Sequence, residues 1–174
     1  ALALEAGGVG WLVVLFIGEM FTGTVMRSYE ETLAEALALT LFIPLIISSG
    51  GNSGAQSSAL ITRALAVGDV SIRDAMRVLL RELGQGVVLG TCLGVIGLLR
   101  ALMWGNTPTL SIVVGLTLVA VVLVGSVAGA MLPLVFKRLG FDPAIASSPF
   151  VASLVDVTGL VVYFNIARQL LHLR

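Results

Sequence analysis

LSIVVGLTLVAVVLVGSVAGAMLPLVF, residues Leu110 to Phe136, contains no Asp, Glu, Lys, Arg or His. The hydrocarbon core of a bilayer is about 30 Å thick and an α-helix rises about 1.5 Å per residue, so roughly 20 mostly apolar residues cross it. The run exceeds that length and reads as a transmembrane helix. Measured the same way, the flanking sequence supplies spans near Gly8 to Met26, Leu33 to Ala66, Leu83 to Met103 and Ile145 to Leu171. The expected fold is therefore all-α and integral to the membrane, with five transmembrane helices per chain. Residues 1–174 are read as one domain.

Composition agrees. Of 174 residues, 57% are hydrophobic and 11% charged, against about 25% charged in soluble domains, and the mean hydropathy is +1.06. An ordinary soluble enzyme is excluded. Ten basic residues balance ten acidic ones, so there is no basic surface for nucleic acid. The lone cysteine, Cys92, cannot form an internal disulfide, and no Cys/His metal spacing appears. The first ten residues lack the basic segment of a signal peptide. A start at Ala1 without Met is read as a piece cut from a longer protein. No internal repeat is evident, which argues against an inverted-repeat transporter within one chain.

Basic residues orient the spans. The second and fourth links carry Arg63, Arg73, Arg77, Arg81, Lys137 and Arg138, whereas the opposite side has Arg27, Arg100, Arg168 and Arg174, beside Glu30, Glu31 and Glu35. The N-terminus is expected in the cytoplasm and the C-terminus outside, in the inner (cell) membrane. The segment VSIRDAMRVLLREL reads either as a short amphipathic helix, with Arg73, Asp74, Arg77, Arg81 and Glu82 on its polar side, or as the solvated start of the third span. Tyr163, Asn165 and His172 read as an interfacial belt.

Charges inside spans are costly and ask for a partner or a water path. Asp156 lies about eleven residues into the fifth span, about 17 Å at helical rise and close to the midplane. It reads as a functional carboxylate or as a protonated group bonded to a neighbouring helix. Glu19, halfway along the first span, has Thr22 and Thr24 nearby to satisfy a protonated carboxyl, while Gly18 and Gly23 suit helix packing.

Two polar stretches lie where membrane is expected. The first, PLIISSGGNSGAQSS from Pro44, contains Gly50, Gly51, Asn52, Gly54 and Gln56; Pro44 should kink the span. Irregular backbone there requires burial in protein or a water-filled cavity. Small-residue packing explains the glycines equally well, but does not require Asn52 and Gln56. The second, DPAIASSPFVASLVDVTG from Asp142, contains Ser148 and Pro149, with Ala152, Ser153, Asp156 and Gly159 recurring on one helix face. That face reads as a pore wall. Asp142 before Pro143 reads as a helix start, or as an acidic group at the pore mouth.

These two motifs, on the second and last of five spans, closely resemble the membrane domain of the MgtE family of magnesium channels and transporters, and the resemblance covers essentially the whole chain. It implies a homodimer with a pore at the two-fold axis, lined by the second and fifth helices of both subunits. Asp156 is then the metal-binding residue, with Gly50, Gly51, Asn52, Gly54, Gln56, Ser148, Pro149, Ala152, Ser153 and Gly159 along the path and Asp142 and Glu19 as secondary cation candidates. The transported ion would be Mg²⁺, passing hydrated or partly hydrated down its electrochemical gradient. Family members usually carry cytoplasmic sensing domains that shut the pore at high magnesium. The 174 residues contain none, so conduction without magnesium-dependent shut-off is expected.

The chemistry suits the resemblance, since Mg²⁺ dehydrates reluctantly and takes one or two carboxylates together with several waters. Imidazole and thiolate ligands favoured by zinc or copper are absent from mid-membrane. Two other readings stay open here. A proton- or sodium-coupled carrier would use a buried Asp as a relay. An intramembrane aspartyl protease would need Glu19 and Asp156 to share a proton. Neither carboxylate lies in a protease motif, and a non-enzyme is expected.

Overall fold

The computed structural model describes residues 2–172, with side chains from Gly8 onward except that of Glu35. Ala1, Arg174 and the Glu35 side chain, used above for the chain start and orientation, lie outside the described residues. Six α-helices follow one another: α1 (Leu2–Ser28), α2 (Glu30–Glu35), α3 (Ile43–Val67), α4 (Ala75–Met103), α5 (Pro108–Arg138) and α6 (Ser148–Leu171). Five segments are long and apolar enough to cross a membrane: Gly8–Ser28, Leu37–Val67, Ile72–Met103, Pro108–Arg138 and Ser148–Leu171.

Two expectations change and one open alternative is decided. Pro44 does not kink a helix, because a 3₁₀ segment (Leu37–Phe42) precedes it and α3 begins at Ile43. Proline in a first helical turn removes a donor that had no partner anyway. The Gly- and Ser-rich stretch after it is unbroken α-helix, so its backbone is satisfied internally and only its side chains need partners. Of the readings of VSIRDAMRVLLREL, the start of the third span holds: a 3₁₀ turn (Ile72–Asp74) leads into α4, which runs on to Met103.

Packing in lipid is driven by close van der Waals fit and small residues rather than by removing apolar surface from water. The α4–α5 seam shows this directly. A Cβ added at Gly90 would lie 2.9 Å from the Val119 carbonyl oxygen, and one at Gly94 2.7 Å from that of Gly115. Glycine therefore lets the two backbones touch. α5 is the central helix: 61% of its most apolar window is buried, against none of α1's. Around it Leu39, Phe42, Ile46, Val113, Leu118, Val121, Val155 and Leu160 form the main core. Tyr163 belongs to that core and not to an interfacial belt. It is fully buried, packs against Phe164 and donates its hydroxyl to the Leu39 carbonyl at 2.9 Å. Asn165 and His172 are exposed; the Asn165 amide donates to the Tyr29 hydroxyl at 3.0 Å.

The charged ends sort as two sets. At one end Lys137 reaches the Leu65 carbonyl at 3.4 Å, tying the end of α5 to that of α3. At the other, Arg27, Glu30, Glu31 and Arg168 line one polar hollow, and the Arg168 guanidinium lies 5.8 Å from the Tyr29 ring centre.

Candidate functional site

The polar stretch of α3 divides its side chains among three neighbours, as a period of 3.6 residues dictates. Gly50 and Gly54 are buried against α5 and α6: a Cβ at Gly54 would lie 2.9 Å from Val151 and 3.0 Å from the Gly125 carbonyl oxygen. Ser53 and Ser57 turn toward α5 and α4, where Ser53 meets the Ser126 hydroxyl at 2.6 Å and Ser57 donates to Glu82 Oε2 at 2.8 Å. Gly51 looks at α6. Asn52 and Gln56 are exposed on the surface of the chain, and the Asn52 amide donates to Ser48 Oγ at 3.2 Å.

The sequence stretch before Asp156 forms the start of α6. Asp142 accepts from the Ala144 amide at 2.9 Å and so caps the 3₁₀ turn Pro143–Ile145. Its helix-start role is thus explicit, and its side chain is exposed. α6 begins at Ser148, with exposed Pro149 in its first turn, not at Ile145. Asp156 consequently sits about 12 Å along the helix axis, about 5 Å short of the midpoint of α6.

The face holding Ala152, Ser153, Asp156 and Gly159 is shared among three helices. Gly159 packs on Val121 of α5, where a Cβ would come within 3.1 Å. Ser153 donates to Glu19 Oε1 at 2.6 Å, joining α6 to α1. Ser148 donates to the Ala55 carbonyl at 3.3 Å. Ala152 and Asp156 lie over Gly51, where an added Cβ would stand 3.0 Å from Asp156 Oδ1 and 3.6 Å from Ala152 Cβ. A side chain at position 51 would push this carboxylate outward by a few tenths of an ångström, whereas glycine lets it lie against α3. Its Oδ1 is buried and has no hydrogen-bond partner among the described residues.

A buried carboxylate oxygen without a donor is unusual, because nearly all buried polar atoms are satisfied. The site therefore presents an acceptor with unused capacity at membrane depth, over Gly51, whose chain neighbour Asn52 is exposed. Glu19 differs, since Ser153 and the Thr22 hydroxyl both bond to it, the latter through its backbone carbonyl. Among the described residues no hydrogen bond joins Glu19 to Asp156, so the shared-proton geometry of an aspartyl protease has no support. Nor do three or more His, Cys, Asp or Glu residues converge anywhere among the described residues; within one chain, Asp156 is a single-carboxylate site.

Glu82 is the residue that the sequence misplaced. It is 7% exposed and lies under α3, not on a solvated face. A signal existed: Glu82 precedes Gly86, Gly90 and Gly94 at four-residue steps, on the stripe that packs against α5.

Residues 43–166 match the family model MgtE, described as a divalent cation transporter. The chain is 44% identical over 169 residues to the magnesium transporter MgtE of Thermus thermophilus, covering 97% of this chain and 37% of that protein. It is 36% identical to the magnesium transporter MgtE of Enterococcus faecalis, covering 91% of this chain and 35% of the relative. Against that of Bacillus subtilis it is 29% identical over 162 residues. The chain spans a little over a third of the length of these relatives. With five apolar helices, one buried unsatisfied carboxylate and a family match over most of its length, this multi-pass membrane chain belongs to the MgtE family of divalent cation transporters.

Proposed function

We propose that the chain forms half of a two-fold symmetric magnesium pore, in which Asp156 of each copy holds the passing ion through its water shell. The observation that carries this reading is Asp156 Oδ1, buried against Gly51 without a hydrogen-bond donor. Mg²⁺ keeps several waters and needs one or two carboxylates; two copies supply two. Asn52, next to Gly51 in the chain and bonded to Ser48, offers a further polar group to those waters.

A second copy is favoured by what one chain leaves uncovered. Asn52, next to Gly51 in the chain, is exposed on a helix that crosses the membrane, and polar groups facing lipid are expensive. A closed two-fold dimer sets each polar face against its twin. α1, with Val13, Phe16, Ile17 and Met20 exposed, is available to lipid. The basic links after α3 and α5 support a reading with those ends in the cytoplasm, the N-terminus inside and the C-terminus outside, in the cell membrane. The relatives are named as transporters, and the reading is conduction, not an enzymatic reaction.

Two measurements test this. In vesicles holding a magnesium-sensitive dye, influx should follow the magnesium gradient and membrane potential and ignore imposed proton or sodium gradients. Uphill magnesium accumulation driven by either gradient would replace the pore with a coupled carrier. For the dimer, Asn52→Cys with Cys92→Ser should give an oxidised product of twice the chain mass in membranes. A product that stays monomeric while the protein still conducts would contradict a pore between copies.

A further inference from the structure

Glu82 takes no part in the proposed pore, although it is the most thoroughly buried acidic side chain among the described residues. It sits on α4 about 10 Å along the axis from the helix start at Ala75, close to the Arg-rich link. Its partner is the Ser57 hydroxyl at 2.8 Å; among the described residues no Lys or Arg pairs with it, and the adjacent Arg81 is exposed. Beside it opens a cleft of about 550 Å³ between α3, α4 and α5, where Ser53, Gln56, Ser57, Gln85 and Ser126 interrupt a wall otherwise formed largely by apolar side chains.

Those walls lie on the side of α3 away from Gly51. Ser53 and Ser57 are about 160° and 120° around the helix from Gly51 at 100° per residue, so the cleft and the Asp156 site are separated by the helix itself. A carboxylate held at membrane depth requires a compensating positive charge or a proton. The cleft supplies room and neutral oxygen groups, three hydroxyls and two carboxamides, which suit the water shell of a cation.

We propose that this cleft is a second cation site, in which Glu82 binds a hydrated divalent ion directly or through one water, and Ser57, Gln56, Gln85 and the Ser53–Ser126 pair hold the ion's remaining waters. A single carboxylate with several retained waters is a coordination Mg²⁺ accepts. Because Gln56 and Ser57 belong to the helix that also carries Gly51 and Asn52, an ion here braces α3 against α4 from behind the Asp156 site.

The test uses Mn²⁺ as the probe, on the 174-residue chain carrying Asp156→Asn, so that the outcome does not depend on the pore assignment. Cys92, the sole cysteine, is exposed on the wall of the same cleft, about 15 Å along α4 from Glu82. A trifluoromethyl tag on it reports the nearby paramagnetic ion. Mn²⁺ should broaden the fluorine resonance saturably, Mg²⁺ should reverse the broadening, and adding Glu82→Gln should weaken binding at least about tenfold. Broadening that never saturates, or that survives Glu82→Gln unchanged, would overturn the site and leave Glu82 as a structural partner of Ser57. Should Glu82→Gln fail to fold, Ser57→Ala takes its place. A drop of about threefold or more in Mn²⁺ affinity then supports the site, and an unchanged affinity rejects it.

Discussion

Asp156→Asn should fold and insert as the parent does, while the proposed magnesium flux into vesicles falls by on the order of 100-fold. The substitution keeps size and removes one charge from each copy. Hydrogen bonds to charged groups contribute roughly 1.5–3 kcal/mol each, and about 1.4 kcal/mol corresponds to a factor of ten. Losing an ion-to-carboxylate interaction in two copies therefore reaches that scale even if only part of it is felt in conduction. Folding is spared because Oδ1 makes no hydrogen bond that Asn would forfeit, and the side chain still rests on Gly51. The measurement is dye-reported flux at matched protein incorporation, with elution volume and thermal stability as the folding control. Parent-like flux from well-folded Asp156→Asn protein would remove Asp156 from the conduction path.

The second large effect concerns the fold. A Cβ on Gly129 would collide with the Gly54 carbonyl oxygen and one on Gly125 with that of Gly50, backbone atoms that no rotamer change moves aside. Overpacking of this kind costs roughly 1–3 kcal/mol, sometimes more. For a chain of this size each kcal/mol corresponds to about 2–4 °C in melting temperature. Gly129→Ala should therefore lower the apparent melting temperature in detergent by about 5–10 °C and reduce flux, since α3 must shift to relieve the contact. Gly23→Ala on α1 is the matched control: nothing lies within 4 Å of the added carbon. It should melt within about 2 °C of the parent, as an isolated methyl on an open helix face changes no packing. Equal melting of the two variants would show that α3 and α5 are not held at backbone contact.

The number of spans and their approximate ends were readable from the chain alone. In a bilayer the requirement is a length of uncharged residues, and Leu110–Phe136 satisfies it without reference to any partner. The two polar stretches were equally visible, because Asn52, Gln56 and Asp156 stand out against an apolar background, and their order along the chain carried the family resemblance. Asp142 was legible as a helix start for a local reason: its cap bond reaches only two residues along.

What each polar face meets was decided by the tertiary structure. Periodicity places Gly50, Gly51 and Ser53 on different sides of one helix, yet a membrane helix surrounded by other apolar helices shows no outward polar side from which to tell pore, protein and lipid apart. Gly51 under Asp156, Gly50 and Gly54 against Val151, Val155 and Gly125, and Gly159 against Val121 follow only from how α3, α5 and α6 approach one another. Tyr163 and Glu82 were misread for the same reason. Near a span's end, a tyrosine suits the headgroup region and a glutamate beside Arg81 suits water. The Leu39 carbonyl that accepts from Tyr163 and the Ser57 hydroxyl that donates to Glu82 are 124 and 25 residues away in sequence. A polar group inside a membrane protein takes its meaning from the partner that satisfies it, and that partner is supplied by packing, not by neighbours in the chain.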